Sequence, residues 1–267
     1  MQTAVFNKLR TLIYNSSGIC LNQDKTALVT ARVSKRMRKL RLADYGKYLQ
    51  CVLEDSTGQE IQHLLDAIST NVTSFYREPE HFNFLRGILK IWAAEKAKKI
   101  RMWSAACSTG EEPYTMAIEA KESTGNHPME YKILATDINS DVLVTAQSGE
   151  YPEDRIAPIP KHIRTKYFTT IKEGGSKSYL IREEIRNMVV FRQFNLSVFP
   201  FPLRNRLDII FCRNVMIYFD TELRAKLVAE FSRLLKPGGY LMLGHAESIS
   251  RACGGFRCLR PSIYQKE

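Results

Sequence analysis

Between residues 99 and 244, short apolar runs alternate with longer amphipathic ones, and this alternation narrows the fold more than any other feature of the chain. Residues 99–106 (KIRMWSAA) read as a buried strand and 110–122 (GEEPYTMAIEAKE) as a helix. Residues 131–137 (YKILATD) read as a second strand, followed by a helix over 140–149. A later unit has a strand at 207–212 (LDIIFC), a helix at 221–235, a turn at 236–239 (KPGG) and a strand at 240–244. Strands separated by helices must be joined by crossovers, which produce a parallel sheet in an α/β layered domain. One segment departs from the pattern. Residues 165–194 carry two β-rich runs, 176–183 and 186–193, after the pair Gly174-Gly175, and predict a small antiparallel insert.

Upstream of this region there is no strand-like alternation. Val5, Phe6, Leu9, Leu12 and Ile13 fit a helical stripe, Tyr45, Tyr48, Leu49, Val52 and Leu53 a second, and Ile61, Leu64, Leu65 and Ile68 a third. Residues 1–68 are therefore expected to form a small all-helical domain and 69–80 a connector. The α/β domain then takes 81–267, with Pro79 opening the helix before it.

Lys and Arg outnumber Asp and Glu by 39 to 28, and the excess is uneven: residues 1–58 hold ten basic residues against four acidic ones. At 100° per residue, Arg32, Lys35, Arg36 and Lys39 share one helical face while Val33, Met37 and Leu40 share another. Such a helix presents either a solvated face or a docking surface for something acidic: nucleic acid, a membrane surface or an acidic protein helix. Charge alone does not choose among them.

The rest of the composition excludes several classes. With 44% hydrophobic and 25% charged residues the chain is ordinary globular protein, and no apolar run approaches the roughly 18 residues of a membrane span. Lys8 and Arg10 interrupt the first apolar stretch, which has no signal-peptide core, so a cytoplasmic protein is expected. Cys20, Cys51, Cys107, Cys212, Cys253 and Cys258 include no C-x-x-C pair. They read as reduced thiols, and no metal is expected.

Strand, tight loop, helix, then a strand ending in an acid is the order in which open α/β sheets bind nucleoside cofactors. Here the first strand runs into Ala105-Ala106-Cys107-Ser108-Thr109-Gly110-Glu111-Glu112-Pro113, and the second ends in Asp137, a carboxylate suited to the two hydroxyls of a ribose. The loop has a single glycine and is not G-x-G-x-x-G. Glu111 and Glu112 stand where a pyrophosphate would sit and would repel it. A cationic adenosyl ligand without phosphate, S-adenosylmethionine, fits better. The simpler alternative is that the two glutamates only satisfy a helix dipole.

The loop 103–114 (WSAACSTGEEPY) closely resembles the CheR-type chemotaxis receptor methyltransferases. So do 210–220 (IFCRNVMIYFD), 71–78 (NVTSFYRE), Leu235-Lys236-Pro237-Gly238-Gly239 and Gly244-His245-Ala246-Glu247-Ser248. The order of parts also matches, from the basic helix nearly to Tyr264, and the visible departures are Cys107, where small residues such as Ala are usual, and Ala246-Glu247-Ser248 in a slightly variable loop. The resemblance implies a Rossmann-like class I S-adenosylmethionine-dependent methyltransferase domain with a small β insert, preceded by an all-helical domain. It implies methyl transfer to glutamate carboxylates of chemoreceptors, giving methyl esters and S-adenosyl-L-homocysteine.

By the same resemblance, Arg77 and Tyr218 stand beside the reacting groups. Asn71, Thr73, Arg77, Ala105, Glu111, Glu112, Asp137, Asn195, Leu196, Cys212, Arg213 and Asn214 form the cofactor-binding set. The stripe Arg32, Lys35, Arg36 and Lys39 then faces the acidic methylation helices of a receptor cytoplasmic domain, and nucleic acid drops out as a partner. In some members of that family the β insert grips a receptor tail peptide, a role the sequence leaves open for this insert; the enzyme is expected to be a monomer, and no membrane insertion is expected. Two other readings stay open: an enzyme acting on another acidic protein, and a cofactor-binding adaptor. An adaptor would be expected to have lost Arg77 or Tyr218, and both are present.

Overall fold

The computed structural model describes residues 1–125, 129–173, 175–249 and 255–267; Gly174 and Cys253 lie outside them. The chain opens with four helices, α1 (Thr3–Ser17), α2 (Thr26–Lys39), α3 (Tyr45–Glu54) and α4 (Gln59–Ile68). Their apolar stripes meet in one core around Leu9, Ile13, Val33, Tyr48, Leu64 and Leu65. Asp44 caps α3 by accepting from the Lys47 amide, and the left-handed Gly18 ends α1.

Helix α2 turns its apolar stripe inward, but its basic face divides in two, which corrects the expectation of four outward charges. Arg36 pairs through Nε and Nη2 with both carboxylate oxygens of the buried Glu60 on α4, at 2.9 and 2.5 Å. Arg32 donates to the carbonyls of Ala67, Ile68 and Ser69, closing the C-terminus of α4. Only Lys35, Arg38 and Lys39 point fully to solvent on this stretch. Both arginines were drawn inward because α4 offers a buried carboxylate and unpaired terminal carbonyls within their reach. Removing Arg36 strands Glu60 as a buried charge. Arg36→Ala is expected to cost about 2–3 kcal/mol in urea denaturation, whereas Lys35→Ala should leave the midpoint unchanged.

Pro79 occupies the first turn of α5 (Pro79–Ala94), which leads into the α/β domain. There follow β1 (Lys99–Ala105), α6 (Glu111–Thr124), β2 (Glu130–Asp137), α7 (Ser140–Ser148), β3 (Glu150–Pro152), α8 (Glu153–Ile156) and α9 (Lys161–Tyr167). The chain continues through β4 (Phe168–Glu173), β5 (Ser176–Ile181), α10 (Glu183–Arg186), β6 (Val189–Gln193) and β7 (Leu207–Cys212). It ends with α11 (Thr221–Leu234), β8 (Leu235–Leu243), β9 (Phe256–Arg260) and β10 (Ile263–Lys266).

The main sheet has the order β6-β2-β1-β7-β8-β10-β9. Its first five strands are parallel, while β10 runs antiparallel to β8 and β9 antiparallel to β10. Every residue of β7 is buried, as a central strand covered on both faces requires. Successive strands wind outward from β1 in opposite directions, so a crevice opens between the carboxyl ends of β1 and β7.

The small sheet is β3-β5-β4, antiparallel throughout. Val189–Gln193, expected in the insert, instead pairs parallel with Ile133–Asp137 as the edge of the main sheet. Its inward Val189 and Phe191 alternate with outward Val190 and Arg192, the pattern of a half-covered edge rather than of a separate hairpin. The third strand of the small sheet is Glu150–Pro152, too short to carry a periodicity of its own. Residues 236–239 also differ from expectation: they lie within β8, whose pairing with β7 shifts register between Leu207 and Ile209.

Candidate active site

A cleft of about 920 Å³, counting the space at its open mouth, sits at this crevice. Its floor comes from three strand ends: Ala106, Ser108 and Glu112 after β1, Asp137 and Ile138 after β2, and Arg213, Asn214 and Val215 after β7. Phe194, Asn195 and Leu196 line one side, Tyr218 and Phe219 another, and the connector supplies Asn71 to Ser74 and Arg77. Ser17 and Ile19 of the helical domain, with Ser69 and Thr70 at the start of the connector, form a roof. That roof is tied down: Asp66 accepts from the Ser140 amide and hydroxyl at 3.0 and 2.8 Å, and the Cys20 amide donates to the Tyr218 carbonyl at 2.8 Å.

The loop after β1 folds back sharply, with Ala106, Ser108 and Gly110 at φ 68, 50 and 94°. For the two non-glycine residues this is a costly conformation, and it brings the Ser108 amide onto the Asp137 carboxylate at 2.8 Å. Gly110 has a further constraint: a Cβ there would lie 2.9 Å from the Ala146 Cβ and from the Tyr151 hydroxyl. Gly110→Ala is expected to destabilise the fold by about 2–3 kcal/mol and to weaken cofactor binding, read by denaturation and by titration with S-adenosylhomocysteine.

Asp137 is buried, and its two oxygens accept from the Ser108 and Asn139 amides at 2.8 and 2.9 Å. It is not the N-cap of α7, which is Asn139, accepting from the Val142 amide. Burial pushes the Asp137 carboxyl above the ordinary range, and the two amides pull it back. Each oxygen keeps a lone pair for the cleft.

Glu112 accepts from the Ser104 hydroxyl at 2.7 Å and pairs with Arg213 at 2.9 Å. Burial raises its carboxyl, against the pull of the guanidinium and the hydroxyl. Arg213 in turn touches Glu78 at 3.0 Å, so one buried cation bridges two carboxylates.

Of the thirteen residues expected in the cofactor set or beside the reacting groups, ten line the cleft: Asn71, Thr73, Arg77, Glu112, Asp137, Asn195, Leu196, Arg213, Asn214 and Tyr218. Three expected residues do not. Glu111 is buried on the other side of α6, accepting from the Thr109 hydroxyl and pairing with Arg155 at 3.2 Å. Neighbours on a helix stand 100° apart, so α6 can turn only one of the two glutamates to the crevice. Ala105 and Cys212 end their strands with side chains in the core beside Trp103 and Leu243, and the next residues, Ala106 and Arg213, line the cleft in their place. Two residues in the lining are already engaged by the fold. Asn195 donates to the Ser16 carbonyl at 2.7 Å, and Arg77 donates to the Val72 carbonyl at 2.7 Å. No ion pair joins Arg77 to Glu78 or Glu80 among the described residues, so it is not a linker salt bridge.

The roof residues Ser17, Ile19, Ser69 and Thr70 were not anticipated. No local signal marks Ser17 and Ile19, which reach the cleft only through the docking of one domain on the other, whereas Ser69 and Thr70 directly precede Asn71 in the connector.

This set suits an adenosyl sulfonium ligand. A carboxylate with free lone pairs, Asp137, faces the cleft, apolar Ile138, Phe194 and Leu196 line it, and Glu112 on the floor already occupies the guanidinium of Arg213.

Comparison with known proteins agrees. The CheR methyltransferase SAM-binding domain matches residues 71–264, and the CheR methyltransferase all-alpha domain matches residues 4–69. A chemotaxis protein methyltransferase of Borreliella burgdorferi is 39% identical across 97% of this chain and 93% of its own length. Chemotaxis protein methyltransferase 2 of Pseudomonas aeruginosa is 36% identical across 97% and 91%, and the Escherichia coli chemotaxis protein methyltransferase 34% across 99% and 91%. The chain belongs to the CheR methyltransferase family, an all-α domain followed by that family's S-adenosylmethionine-binding domain.

Proposed function

We propose that this enzyme methylates glutamate side chains on the acidic cytoplasmic helices of chemoreceptors, forming glutamate methyl esters. The observation that carries the reading is the adjacency of two features: a cofactor cleft, and helix α2, whose Arg32 reaches the roof residues Ser69 and Thr70 and whose Lys35 and Lys39 lie exposed on the same face. A small carboxylic acid would need no such surface, whereas an acidic helix is steered and held in register by it. No helix among the described residues is long and apolar enough to cross a membrane, and a protein meeting receptors on their cytoplasmic side needs none.

Bound S-adenosylmethionine supplies an electrophilic methyl on a sulfonium. In our reading Asp137 holds the ribose, Leu196 and Phe194 flank the adenine, and Glu112 faces the positively charged end. A glutamate carboxylate is ionised near neutral pH, its ordinary pKa being about 4.3, so no general base is required. What the protein must do is hold the carboxylate in line and exclude water, a proximity effect worth several kcal/mol. Arg77, anchored by the Val72 carbonyl, presents its remaining N–H groups to an incoming carboxylate, and Tyr218 closes the opposite wall. A receptor tail segment fits the outer edge of β4, which pairs on one side only with β5.

Mass spectrometry of a receptor cytoplasmic fragment incubated with the enzyme and S-adenosylmethionine tests this reading. Methyl esters on glutamates of the acidic helices are expected. Methyl groups on lysine, or none despite cofactor binding, would overturn it.

A further inference from the structure

Beside Arg213 and Asn214, three side chains converge: Glu78, His81 and His245 each bring one donor atom within 4.8 Å of the others. From this geometry we propose a binding site for a divalent transition-metal ion of the zinc class, with Glu80 as a fourth ligand. Oxygen and imidazole donors at the start of α5 meet an imidazole from the loop after β8, so the ion would tie the connector to the far side of the sheet.

Four features support the site. Glu78 Oε2 lies 3.5 Å from His81 Nδ1 and 3.8 Å from His245 Nε2, and Glu80 Oε2 lies 3.7 Å from His245 Nε2. A tetrahedral ion with bonds of about 2.0–2.2 Å sets its ligand atoms about 3.3–3.6 Å apart, so small side-chain movements close the set of three, and the exposed Glu80 swings in from beside His245 to complete it. His81 is 1% exposed, and its Nδ1 finds no hydrogen-bond partner among the described residues. An orphaned buried ring nitrogen is uncommon and calls for an explanation. The opposite nitrogen, Nε2, lies 2.8 Å from the Ser262 hydroxyl, the kind of outer partner that fixes the tautomer and orientation of a metal-ligating histidine. His245 is about half exposed and Glu80 more so, which leaves a path for an ion to enter.

Charge also balances. Glu78 and Glu112 share a single guanidinium, that of Arg213, which stays paired with Glu112 at 2.9 Å when Glu78 turns to a metal, and Glu80 adds a second carboxylate from the exposed side.

The test titrates the chelator-stripped full-length protein near neutral pH with zinc sulfate by calorimetry, and with cobalt chloride by visible absorption. One equivalent is expected to bind, with cobalt bands of nitrogen and oxygen ligation. His245→Ala should weaken zinc at least about tenfold, and the exposed Glu80→Gln by a smaller factor. Both side chains are accessible, so the metal-free melting temperature of each variant should match the parent. Absence of saturable binding, unchanged affinity in both variants, or a thiolate-to-cobalt charge-transfer band would overturn the proposal.

Discussion

Asp137→Ala is expected to raise the Kd for S-adenosylhomocysteine roughly a hundredfold. Two effects combine. The ribose loses hydrogen bonds to a charged acceptor, each worth about 1.5–3 kcal/mol. The amides of Ser108 and Asn139, held by the same carboxylate at 2.8 and 2.9 Å, lose the partner that shapes the loop after β1 and the start of α7. Asp137→Asn keeps the shape and one acceptor oxygen, so its loss should fall between the two. The product is the better probe because it binds without turnover, and calorimetry reads the affinity directly. Unaltered affinity in Asp137→Ala would contradict the ribose role.

The second large effect lies on α2. Lys35→Glu combined with Lys39→Glu should raise the KM for a receptor fragment by at least about tenfold at low salt. The penalty should shrink as ionic strength rises, because exposed charges are screened within about 10 Å at 0.1 M. Cofactor affinity and kcat should stay near the parent values, since neither lysine enters the cleft. Arg32 and Arg36 are unsuitable for this experiment: reversing either would disturb the C-terminus of α4 or expel Glu60, and lost activity would then report lost structure. A joint loss of cofactor binding and receptor methylation in the lysine variant would show that the helix acts through the fold rather than by docking.

The sequence marks clearly those features whose cause is local. The parallel sheet follows from strands alternating with helices. Asp137 stands out because an acid at the end of a buried strand has no packing reason to be there. Features that depend on distant partners are not marked. Arg32 and Arg36 look identical to Lys35 and Lys39 along α2, and what separates them is α4, with Glu60 and the carbonyls of Ala67 to Ser69. Glu111 and Glu112 are distinguished only by the rotation of α6 against the sheet, which one residue of phase decides. The edge strand Val189–Gln193 shows the alternation of an antiparallel strand because one of its faces is open. Glu78, His81 and His245 are joined only when β8 brings its following loop against α5.

The measurement that tests the central claim most directly uses methyl-labelled S-adenosylmethionine, the enzyme and a receptor cytoplasmic fragment, with base treatment afterwards. Label that joins the receptor and is released by base as methanol is the predicted result, because a carboxyl methyl ester hydrolyses that way and a methylated amine does not. Base-stable label, or none on the receptor while the cofactor binds, would contradict the account.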